Sequence, residues 1–543
     1  MNMSRDRIKQ LALVYWPVGL AALIMIPRIL SAEFGLFDDG ESLRVAEDIQ
    51  SGNWGVLTKE AVRGRFRPIY WIQYAHIYAL VGASPTWFFI WNTVLFMTIT
   101  ALIIHIVRRM GGSDFEAATT GVFLVLAGPL VENTYTLSKP ELLQMLLLSA
   151  AMTPFMSPIG GARNYIIATA WATVLILLAT LTKETSVIMV PISAAWLLLA
   201  VAVAGTGQKR GVANRWGTLL LASSIATLIY LVLRGQVVEV SLSEGTYTNN
   251  LELTVTRVID SAIRWSGWLV RNSAWLVPIL VILLLDLIDR RLQHRRLLVG
   301  ASVWTVAWIL IYLPWEFTVE YYMLPVAIGV SIIGGIALDS AVERIREKRR
   351  ATLAWLSLAI ASILWLTTLP NNYSNARQQL AVDTSNARML AHLVQQADGS
   401  QDVVVNIQHE NEYVYEIRVF LQDVMGLDST SVEVFNPEVG FAPGRLLVAS
   451  PFVQNQPLLA VRMGVVEPSQ TEWNRSLTEA LGSPSKAAFE WEESFQLALI
   501  DLPRLLCWGL PQRGYCTTDR SLVDTREFKY GWQIYDFPAA QGN

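Results

Sequence analysis

The chain has 543 residues, 53% of them hydrophobic and only 16% charged, with 42 basic and 45 acidic side chains and a formal net charge of -3. A soluble chain of this length carries charge on nearer a quarter of its residues, so a water-soluble globular protein is excluded. The near balance of charge gives no footing for a nucleic-acid partner. Mean hydropathy is +0.38, and many of the 20 Trp stand near the ends of apolar runs, where indole rings favour a membrane interface.

In chain order, apolar runs near the ~20 residues that cross a bilayer are expected at about 11–31, 86–107, 116–134, 141–157, 164–181, 185–204, 217–235, 272–288, 298–314, 322–340 and 351–369. The first is too long for a signal-peptide core and has no small-residue cleavage site, so it reads as a retained helix. Basic clusters then set the orientation. Arg5, Arg7 and Lys9 precede the first run, and Arg108 and Arg109 follow the second. Lys209, Arg210 and Arg215, then Arg290, Arg291, Arg295 and Arg296, then Arg344 to Arg350 follow the sixth, eighth and tenth. With eleven spans all of these fall on one side, which the positive-inside rule makes cytoplasmic. That places the N-terminus inside and everything after the last span outside.

The opposite face receives loops at about 32–85 and 236–271, with shorter ones near 135–140, 182–184 and 315–321. Within 251–275, apolar positions at helical spacing with Arg257, Arg264 and Arg271 seven apart predict an amphipathic interfacial helix. After Pro370 the apolar runs shorten and charge rises, so residues 1–370 read as a transmembrane domain and 371–543 as an extracytoplasmic one. A polar helix at 375–397, a strand at 402–407, a helix at about 411–425 and strands at 431–435 and 445–449 predict a small α/β domain. It contains no glycine-rich phosphate loop and no cluster of metal-ligating residues, which suits a structural or recognition role better than a catalytic one. The two cysteines, Cys507 and Cys516, lie in that part. Outside the cytoplasm they are expected to form a local disulfide, and two thiols are too few for a cysteine-built zinc or iron–sulfur site.

Chemistry is expected where ionisable groups are held at the outer membrane boundary. Phe37-Asp38-Asp39-Gly40-Glu41 follows the first span with three carboxylates in four residues. They read either as helix-capping acids or as a general base facing an acceptor hydroxyl or amine. Arg63, Arg65 and Arg67, interleaved with Phe66, Tyr70 and Trp71, suit a phosphate or pyrophosphate, although arginines snorkelling to headgroups would give the same pattern. Lys139 and Glu141 open the fourth span as a charged pair, Lys183 and Glu184 form the hairpin between the fifth and sixth, and Glu316, Glu320, Tyr321 and Tyr322 precede the tenth. Charges at such depths are expensive and point to function.

Three short motifs in this order resemble those of the GT-C membrane glycosyltransferases. The likeness is greatest to protein O-mannosyltransferases and to the bacterial enzymes that transfer aminoarabinose to lipid A. Asp38-Asp39 resembles the acidic motif after the first span, Gly52-Asn53-Trp54 a Gly-Asp-Trp-like segment, and Phe66-Arg67-Pro68-Ile69-Tyr70 a Phe-x-Lys-Pro-Pro-Leu-x-Tyr-like one. Lys183 resembles the loop lysine of that group, Glu141 stands where an acidic residue often follows a basic one, and Tyr322-Met323-Leu324-Pro325 resembles a late Arg-Tyr-Leu-Leu-Pro motif. The chain departs at Ile69, Arg67 and Tyr321, which replace a proline, a lysine and an arginine.

The resemblance implies a polyprenyl-phosphate sugar as donor, a protein, lipid or glycan as acceptor, and transfer with inversion on the extracytoplasmic side of a bacterial inner membrane. Asp39 or Asp38 would be the base, with Asp39 favoured because it lies further from the membrane core. Arg67, Lys183 and Arg65 would meet the donor phosphate, and Glu41, Tyr70, Lys139, Glu141, Glu184 and Tyr322 would support the site. A divalent metal is compatible with so many acids but is not required. Two other readings remain: a glycan polymerase or ligase drawing on a pyrophosphate carrier, and a non-catalytic envelope transporter or scaffold. Transporters tend to show internal repeats. The two halves of this sequence do not match in pattern, which favours an enzyme.

Overall fold

The computed structural model describes residues 5–204, 209–238, 254–289, 294–315, 319–396, 402–407, 412–427, 430–434, 446–454, 489–500 and 523–537. Cys507, Cys516 and Glu316 lie outside the described residues. Among these residues, eight helices are long and apolar enough to cross a membrane, or up to ten if each of two bent pairs is one span. Leu13, Ile166, Leu198, Leu228 and Ile363 on these helices are each more than half exposed. A belt of large apolar side chains facing outward is stable only against lipid. The chain is an integral membrane protein.

The helical part begins with α1 (Arg5–Leu30), α2 (Asp39–Gln50), α3 (Pro68–Val81) and α4 (Pro85–Arg109). Next come α5 (Asp114–Val125), α6 (Gly128–Tyr135), α7 (Glu141–Met152), α8 (Ala162–Thr182) and α9 (Met189–Val203). It continues through α10 (Lys209–Val237), α11 (Val255–Ser273), α12 (Leu276–Ile288), α13 (Arg295–Tyr312), α14 (Leu324–Arg346), α15 (Ala351–Leu366) and α16 (Thr368–Gln396). Helix α14 is the buried centre of the bundle. It approaches α5 so closely that a Cβ on Gly335 would lie 2.8 Å from the Glu116 carbonyl oxygen.

Four expected spans differ in form. The run at 141–157 is α7 with a short turn at Thr153–Met156, shorter than the helices long enough to cross a membrane. The run at 116–134 is two helices, α5 and α6, bent by 59°, with Pro129 inside the first turn of the second, where a missing N–H costs nothing. The amphipathic helix expected in the middle loop is present as α11, and it meets α12 at 84°. The last span does not stop at Pro370. Helix α15 is followed after Thr367 by α16, in whose first turn Pro370 sits, and the helical run continues to Gln396.

Helix α16 carries the chain from the bundle to a five-stranded sheet of β1 (Asp402–Val405), β2 (Val432–Val434), β3 (Leu446–Gln454), β4 (Phe489–Ile500) and β5 (Val523–Phe537), in the order β2-β1-β3-β5-β4. Strand β1 pairs in parallel with β2 and β3, while β5 pairs antiparallel with β3 and β4. The first three strands follow the expected α/β pattern, with α17 (Glu412–Val419) between β1 and β2. The long antiparallel pair β4–β5 was not anticipated. Its sequence interleaves charge with aromatics and so lacks the uniform β-branched signature of a buried strand.

One apolar core joins this sheet to the first outer loop. Leu43, Val45 and Ala46 of α2 and Tyr70 and Tyr74 of α3 pack in the same cluster as Leu390, Val403, Val414, Ile417, Leu447 and Trp532. The C-terminal sheet and the acidic segment are therefore one packed body, which decides how the site is held.

Candidate active site

The acidic segment is built around the start of α2. Asp38, at the N-cap position, has φ 67° and makes no side-chain cap, so the helix-capping reading of this residue does not hold. The cap comes instead from α17. The Glu416 carboxylate accepts the Gly40 N–H at 2.6 Å and the Glu41 N–H at 3.2 Å, meeting two of the four donors a helix start leaves unpaired. The approach requires glycine, since a Cβ on Gly40 would lie 2.7 Å from Glu416 Oε2. Burial, then the nearby charges of Asp38 and Asp39, push the Glu416 carboxyl well above its ordinary range.

Asp39 is buried. Its Oδ2 accepts the Gly35 N–H at 2.8 Å and its Oδ1 accepts the Ser138 hydroxyl at 2.9 Å. Ser138, also at positive φ (55°), lies 2.9 Å from the Ser42 hydroxyl, and its carbonyl accepts the Tyr70 hydroxyl at 2.9 Å. Two non-glycine residues in left-handed backbone at one place mark a site where packing holds local strain. Burial, reinforced by the Asp383 carboxylate, pushes Asp39 up to about 7 against the pull of those hydrogen bonds and of Lys139. Asp38 is half-buried, and among the described residues no donor or cation bonds its carboxylate.

A polar cavity with about 760 Å³ of empty space opens beside Asp39, lined also by Glu132, Lys139, Asp383, Asn386 and Tyr413. Lys139 is 7% exposed. Its ammonium sits 4.6 Å from the Phe37 ring and 4.7 Å from the Tyr321 ring, and among the described residues no carboxylate pairs with it. Aromatic faces stabilise a cation without consuming its N–H donors, so Lys139 is poised for an anion.

The other cations are already engaged. Arg67 pairs through Nε (3.0 Å) and Nη2 with Glu60 and lies over the Tyr70 ring at 4.7 Å. Burial alone would lower its pKa, but Glu60 more than offsets this and holds it well above the usual value. Arg65 lies 3.7 Å from Glu184 and 4.0 Å from Glu60. Lys183 pairs with Glu141 and sits 4.1 Å from the Tyr322 ring and 5.6 Å from that of Tyr321. Glu141 therefore pairs with Lys183, at the end of α8, rather than with Lys139. Glu41 points away from the cavity to Lys59 and Tyr415.

The two groups form one continuous site. Tyr70 touches both Arg67 and Ser138, and Tyr321 lies beside both Lys139 and Lys183. Sequence reasoning missed Glu132, Asp383, Asn386 and the capping Glu416. The spacing of Gln379, Asp383 and Asn386 along one face of α16 was a usable signal for two of them. Asp38, Asp39 and Glu41 do not bring three ligand atoms together. Among the described residues, the one cluster that offers three ligand atoms together is Glu116, His294 and Asp339, at the opposite helix ends.

Glu416→Ala is expected to lower the apparent melting temperature by an amount corresponding to about 1 kcal/mol, the usual worth of a cap, and to reduce activity further because α2 no longer starts in register. Glu416→Gln keeps an acceptor and should recover most of the stability. Thermal unfolding and activity of the two variants side by side check this.

No family model matches the chain, and no curated protein matches it. Among solved structures, the chain is similar to ArnT from Cupriavidus metallidurans bound to undecaprenyl phosphate, at 14% identity and a TM-score of 0.46, over 83% of this chain and 94% of that one. The apo state of the same ArnT aligns at 13% identity and a TM-score of 0.45, over 82% and 94%.

Proposed function

We propose that this protein is a membrane glycosyltransferase that moves a sugar from a polyprenyl-phosphate donor to an acceptor on the extracytoplasmic side, with inversion. One observation carries the reading: Asp39, a buried carboxylate held near pKa 7, lines the same membrane-edge cavity as Lys139, a buried ammonium that no carboxylate pairs. A general base works best with a pKa near the working pH. An unpaired cation in a dry site stabilises a leaving phosphate far more than one in water would.

In the proposed step, the carboxylate of Asp39 takes the proton from the acceptor hydroxyl or amine as that atom bonds to the anomeric carbon. The bond from that carbon to the donor phosphate oxygen breaks, and the electron pair leaves with the polyprenyl phosphate. A single displacement inverts the anomeric configuration. Lys139 meets the leaving phosphate first. Lys183 and Arg67 contribute only by loosening from Glu141 and Glu60, so they assist rather than initiate. Asp383, Glu132 and Asn386 are placed to hold the sugar or acceptor hydroxyls. The positive-inside pattern of the basic clusters supports an extracytoplasmic position for this face.

The test is transfer from radiolabelled polyprenyl-phosphate sugars by purified protein in lipid nanodiscs, followed across pH. Transfer is expected to rise with pH through about 7 as Asp39 deprotonates. Stability runs the other way. A carboxyl raised above its ordinary 3.8 favours the folded state at low pH and loses that contribution as pH rises through about 7. Folded protein that transfers nothing from a donor panel would overturn the proposal.

A further inference from the structure

A second large cavity lies between the helices at the end opposite the acidic site. It is walled by α4, α7, α9, α10, α13 and α14, and the space between them, with its open mouth included, is about 910 Å³. Its inner wall is aromatic: the Trp196 and Trp304 rings stack at 6.3 Å and 12°, and Trp216 stands 5.3 Å from Trp196. Ile328, Ile332 and Met152 complete an apolar shaft, and no acidic residue lines it. Arg215 and Arg295 stand at its mouth, from α10 and α13, beside Arg296.

The two guanidinium groups of Arg215 and Arg295 have no salt-bridge partner among the described residues. The Arg215 Nε is shielded from solvent and without a hydrogen bond, and its head lies 4.9 Å from the Trp216 ring, a contact that leaves the in-plane N–H groups available. An arginine that merely snorkels would carry its donors out to water. Here one is held at the rim of an apolar shaft.

From Arg295 to Trp304 the shaft runs nine residues of helix, about 13 Å. That is close to the ~15 Å of hydrocarbon in one leaflet, half of a ~30 Å core. An anion at the mouth and a long apolar chain below it is the outline of one phospholipid. Arginine forks match phosphate oxygens bidentately, and basic pockets between transmembrane helices suit anionic headgroups.

We propose that this cavity is a binding site for an anionic glycerophospholipid of the leaflet on the arginine-rich side, its phosphate held by Arg215 and Arg295 and one acyl chain lying along Trp196, Trp216 and Trp304. The site is separate from the acidic cavity and does not depend on the reaction proposed there. Leu199, which lines the cavity and is 39% exposed, marks the side from which lipid enters.

The test uses delipidated full-length protein. Tryptophan quenching by phosphatidylglycerol with a brominated acyl chain is compared with quenching by brominated phosphatidylcholine, and native mass spectrometry counts retained lipid. Phosphatidylglycerol is expected to bind at least tenfold more tightly than phosphatidylcholine. Arg215→Gln with Arg295→Gln should remove that preference, and Ala200→Phe, which fills the shaft without touching the arginines, should weaken both lipids. Equal binding of the two lipids, or a preference unchanged in the double variant, would overturn the proposal. So would displacement by inorganic phosphate at the same concentration as lipid, which would make the site an anion site only. Preferential retention of polyprenyl phosphate would overturn it too, by assigning the shaft to a donor tail.

Discussion

Asp39→Asn is expected to lower transfer by about 10²–10⁴-fold, the usual worth of a general base, while the protein stays folded. The amide can keep both local hydrogen bonds, its oxygen accepting the Gly35 N–H and its NH₂ donating to the Ser138 hydroxyl, since a hydroxyl can accept as well as donate. It also removes a like charge from beside Asp383, so thermal stability above pH 7 should equal or exceed that of the parent. Asp38→Asn should cost less, because that carboxylate does not line the cavity, and should leave the rise in rate near pH 7 in place. The measurement is initial rate against pH for both variants. Full activity in Asp39→Asn, or loss of the pH limb in Asp38→Asn alone, would reassign the base to Asp38.

Arg28→Met is expected to be the most destabilising single change near the site, by about 3–5 kcal/mol, because it strands a buried carboxylate. Arg28 and Asp383 form an ion pair in which both side chains are almost fully buried. The guanidinium also donates to the Glu33 carbonyl at 3.2 Å and lies over the Phe89 ring at 3.8 Å. Replacing both partners, Arg28→Met with Asp383→Leu, should recover most of the loss, since apolar groups of similar volume are often as stable as a buried pair. Thermal unfolding in one detergent for the parent, the single and the double variant checks this. A double variant no more stable than the single would show that the pair itself is not what Arg28 supplies. The pair ties α1 to α16 directly behind Asp39, so the single change should also reduce transfer.

The helices were legible because the length of an apolar run is a property of the sequence alone. A stretch such as 164–181 must be helical to satisfy its backbone in lipid, and the structure has α8 there. Bends were not legible in the same way. The 59° break between α5 and α6 and the 84° turn between α11 and α12 depend on what each helix packs against. The parallel strands β1 to β3 announced themselves through β-branched runs such as Val403-Val404-Val405, whereas β4 and β5 alternate charge with aromatics and read as strands only once paired.

Within the site, the sequence by itself determined which charges lie between apolar runs: Asp38, Asp39, Arg65 and Arg67 in one long loop, and Lys139, Glu141, Lys183 and Glu184 in short turns. Only the tertiary structure decided who pairs with whom. Glu141 takes Lys183, Glu60 takes Arg67, and Lys139 rests on aromatic rings with no carboxylate paired to it among the described residues. It also decided that a residue nearly four hundred positions away, Glu416, closes the helix that carries Asp39. Charge position follows from local hydropathy, which is additive along the chain. Pairing and pKa follow from distances of a few ångströms between segments remote in sequence, and no pattern of neighbours along the chain encodes those.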